Sequence, residues 1–279
     1  SIKYLYFMRK KKVLVTGCAG FIGSHLCEKL VAEKYYVTGI DNLSTGKINF
    51  IKKLKLNKYF KFLKIDLFKE KNLPKYFKGN EIVFHLAANA DVKDGFFNPN
   101  KDLEQNTIVT HNVLEAMRKN EIKKIFFSST GSVYGEPKIF PTKEDHIFPI
   151  QTSLYGSSKL ACEGLIQAYS SGFGFFSKIF RFVSIMGKRY SHGHLYDFYK
   201  QLLKNKNKLN VLGNGLQKKS YLNVNDCIEA MLFTINRNKQ PVEIFNLGTD
   251  RFITVNHSIK TISKILNINP KIYYKGGKR

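Results

Sequence analysis

The stretch Val13-Leu14-Val15-Thr16-Gly17-Cys18-Ala19-Gly20-Phe21-Ile22-Gly23-Ser24-His25-Leu26 limits what this chain can become more than any other. Three aliphatic residues read as a buried parallel strand. Glycines at 17, 20 and 23 then follow at the spacing of a tight turn that opens straight into a helix. Gly17 permits the turn, Gly20 lets backbone approach a pyrophosphate, and Gly23 lets the helix lie close on its strand. The helix N-terminus offers N–H groups to the anion. A glycine triplet is weak by itself, and a βα turn without a ligand is the plain alternative. The context favours a dinucleotide, because a second strand, Tyr36 to Ile40, ends at Asp41, eighteen residues after Gly23. A carboxylate there accepts from both ribose hydroxyls and repels a 2′-phosphate, so NAD is expected rather than NADP.

Strands keep alternating with helices. Phe60 to Ile65 ends at Asp66, and Ile82 to Leu86 runs into Ala87-Ala88-Asn89-Ala90, small residues that let backbone pass close to a cofactor. A lysine-rich helix is expected after the turn 41–46. Another over 103–119 carries Asn106 near its start. Ile125 to Ser129 is a fifth strand, a long helix runs from Tyr155 to about Ser170, and Phe175 to Phe182 is a sixth strand carrying Arg181. This spacing predicts an α/β chain, a Rossmann-type doubly wound parallel sheet with its ligands along the C-terminal edge, where Gly17, Asp41, Asp66, Ala87 and Ser129 fall. Beyond 182 the pattern loosens into a His- and Tyr-rich loop (188–196), a Gly213-Asn214-Gly215 turn, the segment Tyr221 to Val224 and a helix from Asn225. The division expected is a dinucleotide-binding domain over 8–182 and a smaller C-terminal substrate-binding lobe over 183–279, from which 243–248 returns to the core sheet. Met8-Arg9-Lys10-Lys11-Lys12 reads as the natural start, so 1–7 is set aside.

The formal charge of +25 invites a nucleic-acid reading, but only seven of the 46 basic residues are arginine and the lysines are spread along the chain. Biased codon usage explains this better, with attraction to polyanions as a side effect, and no specific nucleic-acid partner is expected. No apolar run reaches the roughly 20 residues that span a bilayer, so no membrane is expected. The cysteines at 18, 27, 162 and 227 form no CxxC pair. They read as small apolar residues of a reducing, cytoplasmic compartment, not as a disulfide frame or metal site. His192 and His194 are two apart in a loop, and no metal is expected there. His85, within an apolar strand, reads as a core residue.

Tyr155 and Lys159 are four apart on one helix and share a face. A tyrosine acting as a base near pH 7 needs its pKa moved down by roughly 3 units, about 4 kcal/mol. A neighbouring ammonium and a cationic nicotinamide both have the required sign. Thr130, at the end of the facing strand, can donate to the substrate oxygen or to the phenolate. An ordinary surface pair is the alternative, and it loses ground because this copy follows a dinucleotide turn and a strand-end Ser128-Ser129-Thr130 cluster.

Together, Thr16-Gly17-x-x-Gly20-x-x-Gly23, Asp41-Asn42, Asp66-Leu67, His85-Leu86-Ala87-Ala88, Asn106, Ser128-Ser129-Thr130, Tyr155-x-x-x-Lys159, Gly213-Asn214-Gly215-x-Gln217, Val224-x-Asp226 and Asn246-Leu247-Gly248 resemble the extended short-chain dehydrogenase/reductase family. Within it the chain is similar to the NAD-dependent nucleotide-sugar epimerases of the UDP-glucose 4-epimerase type, over Lys11 to Arg279. The resemblance implies Thr130, Tyr155 and Lys159 as catalytic residues. It implies Gly17, Gly20, Phe21, Ile22, Gly23, Asp41, Asn42, Asp66, Leu67, Leu86, Ala87, Ala88, Asn106 and Ser128, with Tyr155 and Lys159, as NAD-binding. Ser184, Lys219 and Tyr221 become substrate-binding, with a UDP-sugar favoured. In the implied reaction Tyr155, assisted by Thr130, takes the proton of the sugar 4-hydroxyl as C4 gives up a hydride to NAD, and the 4-keto sugar turns over and takes it back on the other face. Dehydratase, decarboxylase and reductase readings share the same oxidation, and a non-catalytic NAD- or polyanion-binding protein is the alternative of another class. Dehydratases and decarboxylases of the family carry carboxylates after the catalytic hydroxyl, where this chain has Gly131 and Ser132, so epimerisation is favoured.

Three departures accompany the resemblance. Ser184 replaces a usual Asn, Lys219 replaces an arginine for the diphosphate, and relatives run several tens of residues beyond Arg279 with another substrate arginine. The helices near 103–119 and 155–170 are those relatives use to dimerise, so a homodimer is expected. Their apolar residues Leu103, Val109, Val113, Leu114, Leu160, Leu165 and Ile166 serve equally well as intramolecular core.

Overall fold

The structure, a computed structural model, describes residues 11–147, 150–237 and 239–276, and Met8 lies outside them. In chain order the first elements are β1 (Lys12–Thr16), α1 (Phe21–Ala32), β2 (Tyr36–Asp41), α2 (Ile48–Ile51), β3 (Phe60–Lys64), α3 (Pro74–Phe77), β4 (Ile82–His85), α4 (Val92–Phe97) and α5 (Pro99–Asp102). They continue with α6 (Val109–Lys119), β5 (Lys124–Thr130), α7 (Leu154–Phe173), β6 (Phe176–Phe182), β7 (Ser184–Met186), α8 (His194–Lys204), β8 (Lys208–Leu212), β9 (Lys218–Lys219) and β10 (Tyr221–Asn223). The last are α9 (Val224–Phe233), β11 (Val242–Leu247), β12 (Ile253–Thr254), α10 (Val255–Leu266) and β13 (Lys271–Lys275).

Two compact units share these elements. The first runs to Phe182 and includes Val224–Leu247; the second holds Val183–Asn223 and the chain from Gly248. The first unit is the doubly wound α/β sheet, seven strands in the order β11-β6-β5-β4-β1-β2-β3, every neighbouring pair parallel. One face buries Leu14, Val83, Ile125, Phe127 and Ile179 against Val113 and Met117 of α6 and Cys162 and Ile166 of α7. Four phenyl rings, Phe84, Phe126, Phe180 and Phe245, stack in sequence from β4 to β11, with centroids 4.7, 6.2 and 5.6 Å apart. Aromatic neighbours on adjacent strands are the sheet's equivalent of helical i,i+4 contacts. Helix α9 packs on α1, within the first unit. The second unit contains three two-stranded ribbons, β7–β10, β9–β12 and β8–β13. Its own core joins Phe198 and Leu202 of α8, Leu209 and Val211 of β8, and Val255 and Ile259 of α10.

Two sequence expectations meet a different local structure. The lysine-rich helix after Gly46 shrinks to the four residues of α2 and a 3₁₀ turn at Leu54–Leu56. Only Ile51 and Leu54 are buried there, too little apolar surface to offset the cost of starting a longer helix beside clustered lysines. The helix expected over 103–119 is interrupted, with a π-helical segment Leu103–Ile108 between α5 and α6. Of the apolar residues weighed for dimer or core, Val109, Val113, Leu114 and Ile166 are buried within the chain, whereas Leu103 is 52% exposed. Among the described residues no helix is long and apolar enough to cross a membrane.

Candidate active site

At the ends of β1, β2 and β3 the site is built from backbone. Gly17 takes φ +70°, and a Cβ on it would lie 2.8 Å from the Ala87 nitrogen. A Cβ on Gly23 would lie 2.1 Å from the Gly17 carbonyl oxygen, so helix and turn approach as only glycine allows. Helix α1 has Gly20 at its N-cap, no side-chain cap and no acidic residue in its first turn, so its N-terminal dipole favours an anion. The Asp41 carboxylate accepts from Ala19 N at 2.9 Å and Leu43 N at 2.8 Å. Burial raises its pKa, against the pull of those two N–H groups. Two donors leave room on a carboxylate for ribose hydroxyls. Asp66 accepts from Phe68 N and Lys69 N at 2.9 and 3.2 Å and from Asn42 Nδ2 at 3.3 Å, which ties the ends of β2 and β3 together. Bare helix N-terminus, excluded Cβ atoms and strand-end carboxylate fit a dinucleotide.

Thr16 joins this half to the next. Its hydroxyl accepts from Leu86 N and Ala87 N, both at 3.1 Å, and meets His85 Nδ1 at 2.7 Å. His85 Nε2 meets Thr110 Oγ1 at 3.0 Å. The network assigns the ring proton to Nε2, with Thr16 donating to Nδ1, so both nitrogens are satisfied in the neutral ring. Burial, and then the Lys159 charge, push His85 down to about 3. It is a core residue that fixes the height of Leu86 and Ala87 beside Gly17.

At the end of β5 the site changes to side chains. Thr130 closes β5, and its hydroxyl donates to Ser132 Oγ at 3.2 Å and accepts from Ser132 N at 3.1 Å. Lys159 is buried, donates to Ser128 O at 2.8 Å, and lies 4.6 Å from the Phe127 ring centroid. Helix α7 starts one residue before Tyr155 because Ser153 caps it, accepting from Gly156 N at 3.0 Å. The sequence argument expected the Lys159 ammonium to lower the tyrosine pKa. In the protein alone burial dominates and pushes Tyr155 up to about 12, against the pull of the Thr130 hydroxyl, while burial pushes Lys159 down to about 8. Each group loses more by leaving water than it gains from its neighbours.

Asn106 lies in the π-helical segment and is buried. Both amide hydrogens are taken, by Ser158 Oγ at 2.8 Å and Asp102 Oδ1 at 3.2 Å, and its oxygen accepts from Asn89 N at 2.8 Å. It braces the segment that follows Ala88. The first unit therefore lines up Gly17, Asp41, Asp66, Leu86–Ala88 and Ser128–Thr130 on five adjacent strand ends. Ser184 and Tyr221 face each other in the β7–β10 ribbon of the second unit, and Lys219 pairs with Ile253 in another. The Tyr221 hydroxyl meets His194 Nε2 at 2.7 Å and Ser258 Oγ at 3.3 Å. The four cysteines are buried free thiols. Sequence reasoning passed over Thr16 as a network member, and it passed over Glu163, whose carboxylate grips Arg181 through Nη2–Oε2 at 2.8 Å and Nε–Oε1 at 3.1 Å. A charged residue one turn after Lys159 on the apolar side of α7 was the available signal.

The profile of the NAD dependent epimerase/dehydratase family matches residues 13–248. Similar solved structures include the UDP-glucose 4-epimerase of Thermotoga maritima with UDP-glucose, at 33% identity, 96% of this chain, 86% of that one and TM-score 0.86. Another is the UDP-glucuronic acid 4-epimerase of Bacillus cereus in complex with UDP-glucuronic acid and NAD, at 30% identity, 95% of this chain, 86% of that one and TM-score 0.87. UDP-glucuronic acid decarboxylase 1 of Danio rerio is 31% identical over 256 residues, 88% of this chain and 59% of that protein.

Proposed function

The chain belongs to the NAD dependent epimerase/dehydratase family, and from that premise we infer that it is an NAD-dependent nucleotide-sugar 4-epimerase acting on a UDP-sugar. One observation carries the reaction type: α7, with Tyr155 and Lys159 one turn apart, is tied to the end of β5 that carries Thr130, and positions 131 and 132 after it are glycine and serine, not carboxylates. NAD would supply the hydride acceptor for C4 and a positive charge to the site. Gly17, Gly23 and the head of α1 would hold its pyrophosphate and Asp41 its adenosine ribose. Tyr155 Oη takes the proton of the sugar 4-hydroxyl and gives it back. Its raised pKa in the protein alone means that the base forms only when further positive charge arrives, which couples proton removal to a loaded site. Thr130 is assigned to steady the phenolate, and Lys159, one turn along α7, to supply positive charge to the site.

Ser184, Lys219 and Tyr221 are assigned to the nucleotide-sugar, Lys219 as a point charge for the diphosphate. A homodimer in the cytoplasm is part of the same reading. The outer side of α7 exposes Ala161, Gly164 and Ala168, small residues that admit a second helix closely. Incubating the protein and NAD with UDP-glucose, UDP-galactose and their N-acetyl and uronate forms, followed by mass spectrometry and chromatography, tests it. Interconversion of 4-epimers without net NADH is the expected result. Loss of water or of carbon dioxide from the sugar overturns the epimerase reading in favour of its relatives.

A further inference from the structure

Two of the last three residues of β5 grip α7 through different atoms. Ser128 O takes the Lys159 ammonium and Ser129 Oγ donates to Glu163 Oε1 at 2.5 Å, and Thr130 follows directly. Residues 155, 159 and 163 form one stripe of the helix, so strand end and helix are joined by two rungs along it. The Glu163 rung differs from the Lys159 rung, because Arg181 holds its carboxylate in a bidentate fork from β6, where Arg181 stands in register with Ser129. Arg181 also donates to Tyr134 Oη at 2.7 Å and Glu144 O at 2.9 Å, which ties down the segment leading to the cap of α7. Ser129, Glu163 and Arg181 are all buried, so water does not substitute for any of them.

We propose that Ser129, Glu163 and Arg181 form a positioning clamp that fixes the end of β5, and with it Thr130, against the stripe of α7 that carries Tyr155. The clamp touches no reacting atom. Ser129 is bonded to Thr130 along the chain, so the fixed carboxylate dictates where the Thr130 hydroxyl sits, and a shift of about 1 Å there is enough to spoil a proton transfer. Thr130 opposes the rise of the Tyr155 pKa; Asp102, from α5, and Cys162, on α7, act in the other direction. Losing the clamp therefore makes the phenolate harder to form without touching the substrate.

The inference rests on Tyr155 being the base, so the experiment includes Tyr155→Phe as a reference. Ser129→Ala leaves the Glu163–Arg181 pair intact and removes only the rung. Its kcat is expected to fall about tenfold, with KM for the UDP-sugar within twofold and the acid limb of the kcat–pH profile moved upward. Ser129→Thr, which keeps the hydroxyl, is expected to restore both. Wild-type kcat and an unmoved limb in Ser129→Ala, or equal losses in both variants, overturn the clamp while Tyr155→Phe stays inactive. An active Tyr155→Phe overturns the reading of the base instead.

Discussion

Along β1, β2 and β3 the C-terminal edge of the sheet presents backbone and carboxylates; along β5 and β6 it presents buried charged side chains. In the first stretch Gly17 and Gly23 exclude a Cβ, and Asp41 is held by two N–H groups. In the second, Lys159, Glu163 and Arg181 are all out of water and each keeps a specific partner. Shape does the work in one half and desolvated charge in the other. A Cβ added to the first stretch meets main-chain atoms, so the backbone itself must move apart. Unpairing a buried charge in the second is steep, because nothing in the interior replaces water.

Tyr155→Phe should cause the largest change. Removing the proton carrier is expected to lower kcat about a thousandfold, in the range general acid–base catalysis supplies, with the thermal midpoint little moved and any loss of NAD affinity far smaller than the loss of kcat. Steady-state kinetics beside calorimetric titration of NAD checks this, and a parallel loss of NAD affinity would break the separation of the two halves. Arg181→Met comes next, since it leaves Glu163 buried without its fork. The expected cost is about 3–5 kcal/mol of stability, a fall in thermal midpoint of roughly 10 °C. A midpoint within a degree or two of the parent would show that the pair is no firmer than a surface bridge.

Gly23→Ala probes the other half. The new Cβ would start 2.1 Å from the Gly17 oxygen, a backbone atom that cannot swing aside, so the helix must back away, at a cost of about 3 kcal/mol. NAD affinity is expected to drop roughly tenfold while kcat at saturating NAD is largely kept, read by titration and by kinetics. A kcat that falls while affinity holds would mean that the turn also positions the chemistry.

The same contrast explains what the sequence disclosed. The nucleotide half is written in contiguous residues, 13–26 and then Asp41, so spacing alone was enough to read it. The stripe Tyr155-x-x-x-Lys159 was visible for the same reason. The clamp joins Ser129 to Glu163 across 34 residues and Arg181 to Glu144 across 37, and no local pattern announces such pairings. The short α2 and the π-helical turn before α6 escaped because tertiary burial, not propensity, decided where those helices begin and break. The pKa of Tyr155 escaped because its desolvation depends on the whole fold.

The smallest effect belongs to the seam between the halves, where His85 joins Thr16 to Thr110. Its imidazole is pushed down to about 3 from an ordinary value of 6.5, by burial first and by Lys159 second. The unfolded chain therefore takes up a proton below about pH 6.5 while the folded one refuses it until near 3, so this group lowers stability as the pH falls through that window and contributes nothing above it. The slope is at most about 1.4 kcal/mol per pH unit, which amounts to roughly 1 kcal/mol by pH 5.5. Lys159, depressed to about 8, acts only between about 8 and its ordinary 10.5, where rising pH relieves its strain. Asp41, with its pKa raised, has the opposite sign to His85 at acid pH, so the two are distinguishable. Urea denaturation at pH 7.0, 6.0 and 5.5 should show the parent losing stability over a range where His85→Gln stays flatter, because an amide can still bridge the two threonines without titrating. Equal slopes in the two proteins would mean that the ring takes its proton inside the fold and that the seam is less dry than its geometry indicates.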